Sequence, residues 1–116
     1  EIEACAKLYD QNRWVGHIPK IELIRGDATQ TIPQYVKANP HLIVSLLYLD
    51  FDIYEPTLTA IHELRPLMPE GSILAFDELN MREWPGETAA VRRALDVQYL
   101  RIERCAFGST ISFAQL

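Results

Sequence analysis

The sequence predicts an α/β fold in which helices cover a mostly parallel β-sheet. Short apolar stretches bounded by turn residues alternate along the chain with longer segments of helical periodicity. Residues 42–49 form a nearly continuous apolar run of eight residues, interrupted by Ser45 alone. This pattern is typical of a parallel strand that is covered on both faces. Since helices separate the strands, right-handed crossovers are expected to connect them in parallel.

Each predicted element rests on a local pattern. Apolar side chains three and four residues apart mark the helices, Pro40 ends one helix, and Pro56 suits the first turn of the next. In chain order, the predicted elements are a helix at 2–9, a strand at 21–24, a helix at 29–38, the strand at 42–49, a helix of about three turns after residues 54–56, a strand at 71–76, a loop containing Pro85 and Gly86, a helix through 90–95, and a closing hairpin with strands at 99–106 and 110–116 around Gly108 and Ser109.

The composition and charge of the chain argue against several classes of function. The chain has 116 residues and a net charge of −5, with no block of lysine or arginine, which argues against a nucleic-acid partner. No apolar run is long enough to span a membrane, and no signal-peptide pattern is present, so we expect a cytoplasmic protein. Cys5 and Cys105 form no close-spaced metal or redox motif, which favours a reducing compartment, although a disulfide between them stays open.

Acidic residues follow three successive predicted strands. They are Asp27 after the first strand, Asp50 and Asp52 after the second, and Asp77 and Glu78 after the third. Because parallel strands end at the same edge of a sheet, these carboxylates are expected to converge. Two such charges at 4 Å repel by about 1 kcal/mol in water and about 4 kcal/mol at an effective dielectric of 20. A divalent ion relieves this repulsion, and oxygen ligands favour Mg²⁺ first, then Ca²⁺ or Mn²⁺.

A simpler interpretation exists for individual acids. An aspartate just past a strand is often a helix cap, and Asp27 and Asp52 both stand before predicted helices. Capping does not explain Asp50 directly after the apolar run, nor the adjacent pair of Asp77 and Glu78. The coincidence of three strand ends therefore favours a metal site.

Four sequence blocks resemble the macrocin O-methyltransferase family. They are Gly26-Asp27-Ala28 with TIP at 31–33, LYLDFDIYEPT at 47–57, GSILAFDE at 71–78, and WPGETAAV at 84–91. The similarity covers roughly residues 20–95, and the order and spacing of the four blocks make it specific. Members are class I methyltransferases with a Rossmann-like sheet, and they use S-adenosylmethionine and Mg²⁺ to methylate sugar hydroxyls of antibiotics and related natural products.

The resemblance implies a role for each matching residue. Gly26, Asp27 and Ala28 would border the adenine of S-adenosylmethionine. Metal binding would fall to Asp50, Asp77 and Glu78, with Asp50 also bordering the methyl-donor site, and Asp52 would be the catalytic base. The family usually has two aspartates where this chain has Asp77 and Glu78. The substrate would be a glycosylated or nucleotide-linked sugar, and family members tend to form homo-oligomers.

The resemblance also implies that residues 1–116 are the C-terminal part of a single methyltransferase domain. Such a domain binds its methyl donor at a glycine-rich turn after its first strand, and no such turn precedes Lys20. The strands that carry this turn would lie between the strands at 21–24 and 42–49.

Two other classes of function remain open beside the methyltransferase, namely the Asp-x-Asp enzymes and a non-catalytic module. Asp50 and Asp52 also form an Asp-x-Asp motif, as in metal-dependent glycosyltransferases and haloacid-dehalogenase-like phosphatases. A non-catalytic methyltransferase-like binding module is the third alternative. Binding of S-adenosylhomocysteine with Mg²⁺, of a nucleotide sugar, or of neither separates the three.

Overall fold

The computed structural model describes residues 1–108 and 110–116, which contain both helices and strands. The helices are α1 (Ile2–Gln11), α2 (Ala28–Ala38), α3 (Tyr54–Leu64) and α4 (Pro85–Ala94). The strands are β1 (Leu46–Leu49), β2 (Ile73–Phe76), β3 (Ile102–Arg104) and β4 (Ser112–Gln115), and short 3₁₀ turns occupy Arg65–Leu67 and Val97–Tyr99. None of the helices in these ranges has the length and apolar character needed to cross a membrane.

The described strands form a mixed sheet in the order β1-β2-β4-β3. β1 and β2 are parallel, with Leu49 opposite Phe76, and α3 provides the crossover between them. β4 runs antiparallel to both β2 and β3. The predicted α/β class with an antiparallel C-terminal hairpin is therefore confirmed. Ser109, at the centre of the predicted hairpin turn, lies outside the described residues.

The core lies between the sheet and α3, which contacts both α2 and α4. Side chains from four elements meet there, and Leu49, Ile61, Leu74, Phe76 and Val91 are each at most 1% exposed. Their packing holds β1 and β2 in register against α3 and α4, so the two strand ends and the start of α4 are set by one packed layer.

The predicted strand at 21–24 is wrong, because these residues form no strand. A strand needs a neighbour to bond its backbone groups, and none of the described strands pairs with this segment. The segment instead lies beside α2, where the Tyr35 hydroxyl donates to Glu22 Oε2 at 2.8 Å.

The predicted strand at 42–49 is shorter than expected. Regular strand structure is confined to β1, and backbone pairing with β2 extends back one residue, where Ser45 O accepts from Ile73 N–H at 2.9 Å. Burial alternates along β1, with Leu46 60% exposed and Tyr48 42% exposed. The expectation of cover on both faces is thus wrong for the described chain, because its helices bury one face of this strand.

The two cysteines are both free thiols in the structure, so the disulfide left open by the sequence does not form here. Cys5 is exposed on α1, and Cys105 is half-buried after β3.

Candidate functional site

Three carboxylates meet at the carboxyl edge of β1 and β2. Asp50, Asp52 and Glu78 each place an oxygen so that all three oxygens lie within 4.8 Å of one another. The strands bring them together because pairing continues past their ends, where Asp77 N–H donates to Leu49 O at 3.0 Å. The convergence predicted from strand ends is therefore present for these three residues.

Asp52 sits in a tight turn with an unusual backbone. Its φ is +62°, in the left-handed region that few residues other than glycine adopt, although aspartate tolerates it better than most. The turn is closed by a bond from Ile53 N–H to Phe51 O at 2.6 Å. Such a conformation persists only where the surrounding structure holds it, and it is frequent at functional sites. The carboxylate of Asp52 lies beside those of Asp50 and Glu78.

The first turn of α4 packs closely on the Asp52 turn. A Cβ atom placed on Gly86 would lie 2.7 Å from Asp52 O, Ile53 Cα and Tyr54 N. Only glycine allows two backbones to approach so closely. The sequence predicts a loop at Pro85 and Gly86, and this is wrong, since α4 begins at Pro85, where proline suits the first helical position.

Glu87 is a buried carboxylate that holds the turn after β2. The side chain is fully buried, and Oε1 accepts from Glu78 N–H at 3.1 Å. Burial raises the pKa of Glu87 to about 7, against the opposing effect of backbone N–H donors at Glu78 and Asp77, and the negative charges of Asp77 and Asp50 raise it further. Its Oε2 is buried without a hydrogen-bond partner among the described residues.

The same helical turn makes a third contact. Thr88 Oγ1 accepts from Asn80 N–H at 2.7 Å, and Asn80 has a φ of +65°. Asn80 lies in the turn after β2, which is closed by a hydrogen bond from Met81 N–H to Glu78 O at 3.1 Å. Consecutive residues 86–88 thus position the loops after β1 and β2. The sequence analysis did not identify Glu87 as a site residue, since an acid in a first helical turn is ordinarily explained by the helix dipole.

Asp77 has a different partner from the other acids. The Tyr48 hydroxyl donates to Asp77 Oδ1, and this bond raises the pKa of Tyr48 to about 12. The sequence predicted a metal set of Asp50, Asp77 and Glu78, whereas the structure groups Asp50 and Glu78 with Asp52. Tyr48 was not predicted as a site residue, because its hydroxyl reaches Asp77 only through the parallel pairing of β1 with β2.

The electrostatics of the group favour a bound cation. A hydrogen bond with the Asp52 carboxyl raises the pKa of Glu78 to about 7, and desolvation and the charges of Asp52, Asp77 and Glu87 act in the same direction. Glu78 Oε2 is buried and lacks a hydrogen-bond partner among the described residues. Oxygen donors within 4.8 Å of one another, beside a buried oxygen without a partner, suit a hard divalent cation.

The predicted adenine-binding residues lie at the start of α2. Asp27 caps this helix, and its Oδ1 accepts from Thr29 N–H at 2.9 Å and from Thr29 Oγ1 at 2.8 Å. The bonds to Thr29 lower the pKa of Asp27. Gly26 has a φ of +141°, and a Cβ there would lie 2.8 Å from Thr31 Cγ2. Asp27 therefore has the capping role that the simpler interpretation expected, and Ala28 is the first residue of α2.

Comparison with known proteins gives a clear structural likeness. The chain matches no protein-family model and no curated protein. It is 30% identical to the solved apo structure of CalS11, a TDP-rhamnose 3′-O-methyltransferase of calicheamicin biosynthesis, with a TM-score of 0.91 over 98% of this chain and 49% of that one. A second CalS11 structure, described as a calicheamicin methyltransferase, gives the same score and identity over 98% of this chain and 45% of that one.

A third structure supports the fold alone. The O-methyltransferase NovP is 22% identical, with a TM-score of 0.50 over 61% of this chain and 28% of that one. The chain spans about half the length of the CalS11 chains it matches. Macrocin-type enzymes are not among these structures, so that subtype stays a prediction. The resemblance to sugar O-methyltransferases predicted from the sequence is confirmed, and the chain has the α/β fold of about half of such an enzyme.

Proposed function

We propose that this chain carries the metal and acceptor side of a sugar O-methyltransferase that uses S-adenosylmethionine and Mg²⁺. The observation that carries the proposal is the group of Asp50, Asp52 and Glu78 at the strand ends of a sheet that matches CalS11. On this proposal residues 1–116 are part of a single methyltransferase domain, in the C-terminal position that the sequence predicts.

The metal ligands are taken from the carboxylates at the strand ends. Asp50 and Glu78 supply oxygens close enough to bind one ion, and Asp77, held by Tyr48, stands next to Glu78 as the third predicted ligand. Mg²⁺ bound there would act as a Lewis acid that orients the sugar hydroxyl and lowers its pKa. Glu87 supports this arrangement by holding the Glu78 backbone N–H, so that the Glu78 side chain starts from a defined position.

Asp52 is proposed as the base. Its carboxylate lies within 4.8 Å of Asp50 and Glu78, so a hydroxyl held by those residues lies within reach of it. Asp52 would accept the hydroxyl proton while the oxygen forms a bond to the methyl carbon of S-adenosylmethionine; the bond from that carbon to the sulfonium sulfur would break, and S-adenosylhomocysteine would leave. Orientation of the acceptor by this rigid group contributes to the rate because the reacting atoms are aligned before the step.

The methyl-donor side is proposed to include Gly26, Asp27 and Ala28. The Asp27 cap bonds use Oδ1, which leaves Oδ2 to accept from the adenine amino group. Gly26 lets the backbone before α2 lie close to Thr31, since a Cβ atom there would be 2.8 Å from Thr31 Cγ2. Asp50 is proposed to border both this side and the metal.

The substrate is proposed to be a nucleotide-linked deoxysugar of natural-product biosynthesis, as the name of CalS11 suggests for that enzyme.

A thermal-shift experiment tests the function. In the whole methyltransferase domain of which residues 1–116 are proposed to be part, S-adenosylhomocysteine with Mg²⁺ should raise the melting temperature by several degrees at saturating ligand, because ligands that bind only the folded state stabilise it. Asp50→Asn should remove the Mg²⁺-dependent part of this thermal shift. Asp96→Asn is the matched control, since Asp96 is an exposed acid before the 3₁₀ turn at Val97–Tyr99. A shift with TDP-glucose and Mn²⁺ but none with S-adenosylhomocysteine would contradict the proposal in favour of a glycosyltransferase.

A further inference from the structure

A cavity of about 330 Å³ lies between α4 and the turn that follows Glu78. Two arginines line it, Arg82 from the turn and Arg92 from the last turn of α4. Asn80 and Thr88 line the same cavity and are joined to each other by the 2.7 Å bond. The cavity is therefore built on the same helix and turn that position Glu78.

The two arginines are a local exception in an acidic chain. The whole chain carries a net charge of −5, yet two arginines line one concave surface. Both side chains are exposed, and neither forms an ion pair with any residue in ranges 1–108 and 110–116. Two unpaired guanidinium groups at one cavity favour an anion with several oxygens, since each can make paired hydrogen bonds to phosphate.

The cavity adjoins the carboxylate group. Glu78 belongs to that group and Asn80 lines the cavity, and two residues span at most about 7 Å along the chain. A ligand whose hydroxyl lies at the carboxylates can therefore place a phosphate at the arginines if one sugar ring separates the two groups. A nucleotide-linked sugar has this construction, with a diphosphate on one ring carbon and hydroxyls on others.

We propose that this cavity binds the diphosphate of a nucleotide-linked sugar through Arg82 and Arg92. The orientation of the sugar toward Asp50 and Glu78 rests on the proposed function, but the binding of the diphosphate does not. The arginines also offset the repulsion between the diphosphate and the nearby carboxylates.

Calorimetric titration of the purified full chain with thymidine diphosphate, in EDTA, tests the site without metal or methyl transfer. Arg82→Gln and Arg92→Gln should each weaken binding about tenfold, because each removes a charge-assisted pair of hydrogen bonds. Arg93→Gln is the matched control, since it removes the same charge from the neighbouring residue of α4 but does not line the cavity. Circular dichroism checks that these exposed substitutions leave the fold intact.

The site is overturned if thymidine diphosphate does not bind, or if Arg93→Gln weakens binding as much as Arg92→Gln. Inorganic pyrophosphate should displace thymidine diphosphate, and failure to do so would assign binding to the nucleoside and overturn the diphosphate site. If both arginines are required but S-adenosylhomocysteine with Mg²⁺ gives no thermal shift in the whole methyltransferase domain, the diphosphate site stands and the methyltransferase proposal fails.

Discussion

Replacement of Gly86 by alanine tests whether the start of α4 positions the acidic group. Alanine is favoured over glycine inside a helix by about 0.8–1 kcal/mol, so helix propensity alone predicts stabilisation. The added Cβ would lie 2.7 Å from three backbone atoms of residues 52–54, far inside the usual contact distance. These backbone atoms cannot rotate away, so α4 and the Asp52 turn have to separate.

The magnitude follows from the opposition of these two effects. Overpacking of this kind costs about 1–3 kcal/mol, toward the upper end where backbone has to move. We therefore expect a net loss of about 1–2 kcal/mol in the free energy of unfolding, with each kcal/mol lowering the melting temperature by about 4–8 °C in a domain near 100 residues. Because Asp50, a proposed metal ligand, lies in the same loop two residues before Asp52, Mn²⁺ binding should weaken by about tenfold or more when this loop shifts.

Urea and thermal unfolding measure the stability, and electron paramagnetic resonance of free Mn²⁺ measures metal binding. Ala89→Gly, at an exposed position of α4, is the control that measures helix propensity without a packing change. A rise in the melting temperature of Gly86→Ala would refute the close-packing argument. A loss of stability with unchanged Mn²⁺ affinity would refute the link between this contact and the position of the loop that carries Asp50.

Three further predictions concern the acidic residues. Asp50→Asn should abolish metal-dependent turnover, whereas Asp52→Asn should lower the rate and keep most Mn²⁺ affinity; equal loss of Mn²⁺ binding in both would contradict the division of roles. Asp27→Ala should cost about 1 kcal/mol in urea unfolding because the α2 cap bonds to Thr29 are lost, and an unchanged midpoint would show that the cap is dispensable. In EDTA, stability should fall as pH rises from about 4.5 to about 7, since the raised pKa of Glu87 makes the folded state bind the proton more tightly than the unfolded state. The contribution of Glu87 to this change in the free energy of unfolding is at most about 3 kcal/mol and should be lost in Glu87→Gln. A stability that does not change with pH in the parent chain would contradict this prediction.

The sequence predicted well those elements whose signals are local. Helix α2 follows from its apolar spacing, the Asp27 cap and the break at Pro40, and all three depend on neighbours in the chain. The strand at 21–24 failed because a strand forms only beside another strand, which no local pattern can supply. The apolar run at 42–49 was overextended for the same reason, since periodicity shows which residues can be buried and not which partner buries them.

The candidate site divides along the same line. Asp50, Asp52 and Glu78 were predicted because strand ends share an edge in any parallel pair, which is a rule of topology. Glu87, Tyr48 and Gly86 escaped prediction as site residues, because each acts through a contact across the fold. The bond from Tyr48 to Asp77 spans residues 29 apart in the chain, and no sequence spacing signals it.

The sequence by itself determined the α/β class, the order of most elements and the acidic strand ends, because these depend on local periodicity and on the common direction of parallel strands. Only the tertiary structure decided which carboxylates share one small volume, that Glu87 is buried beneath them, and that Arg82 and Arg92 line one cavity. These features arise from how closely α4 packs on the loops after β1 and β2. Such packing depends on distances between segments far apart in the chain, which the pattern of any one segment does not contain.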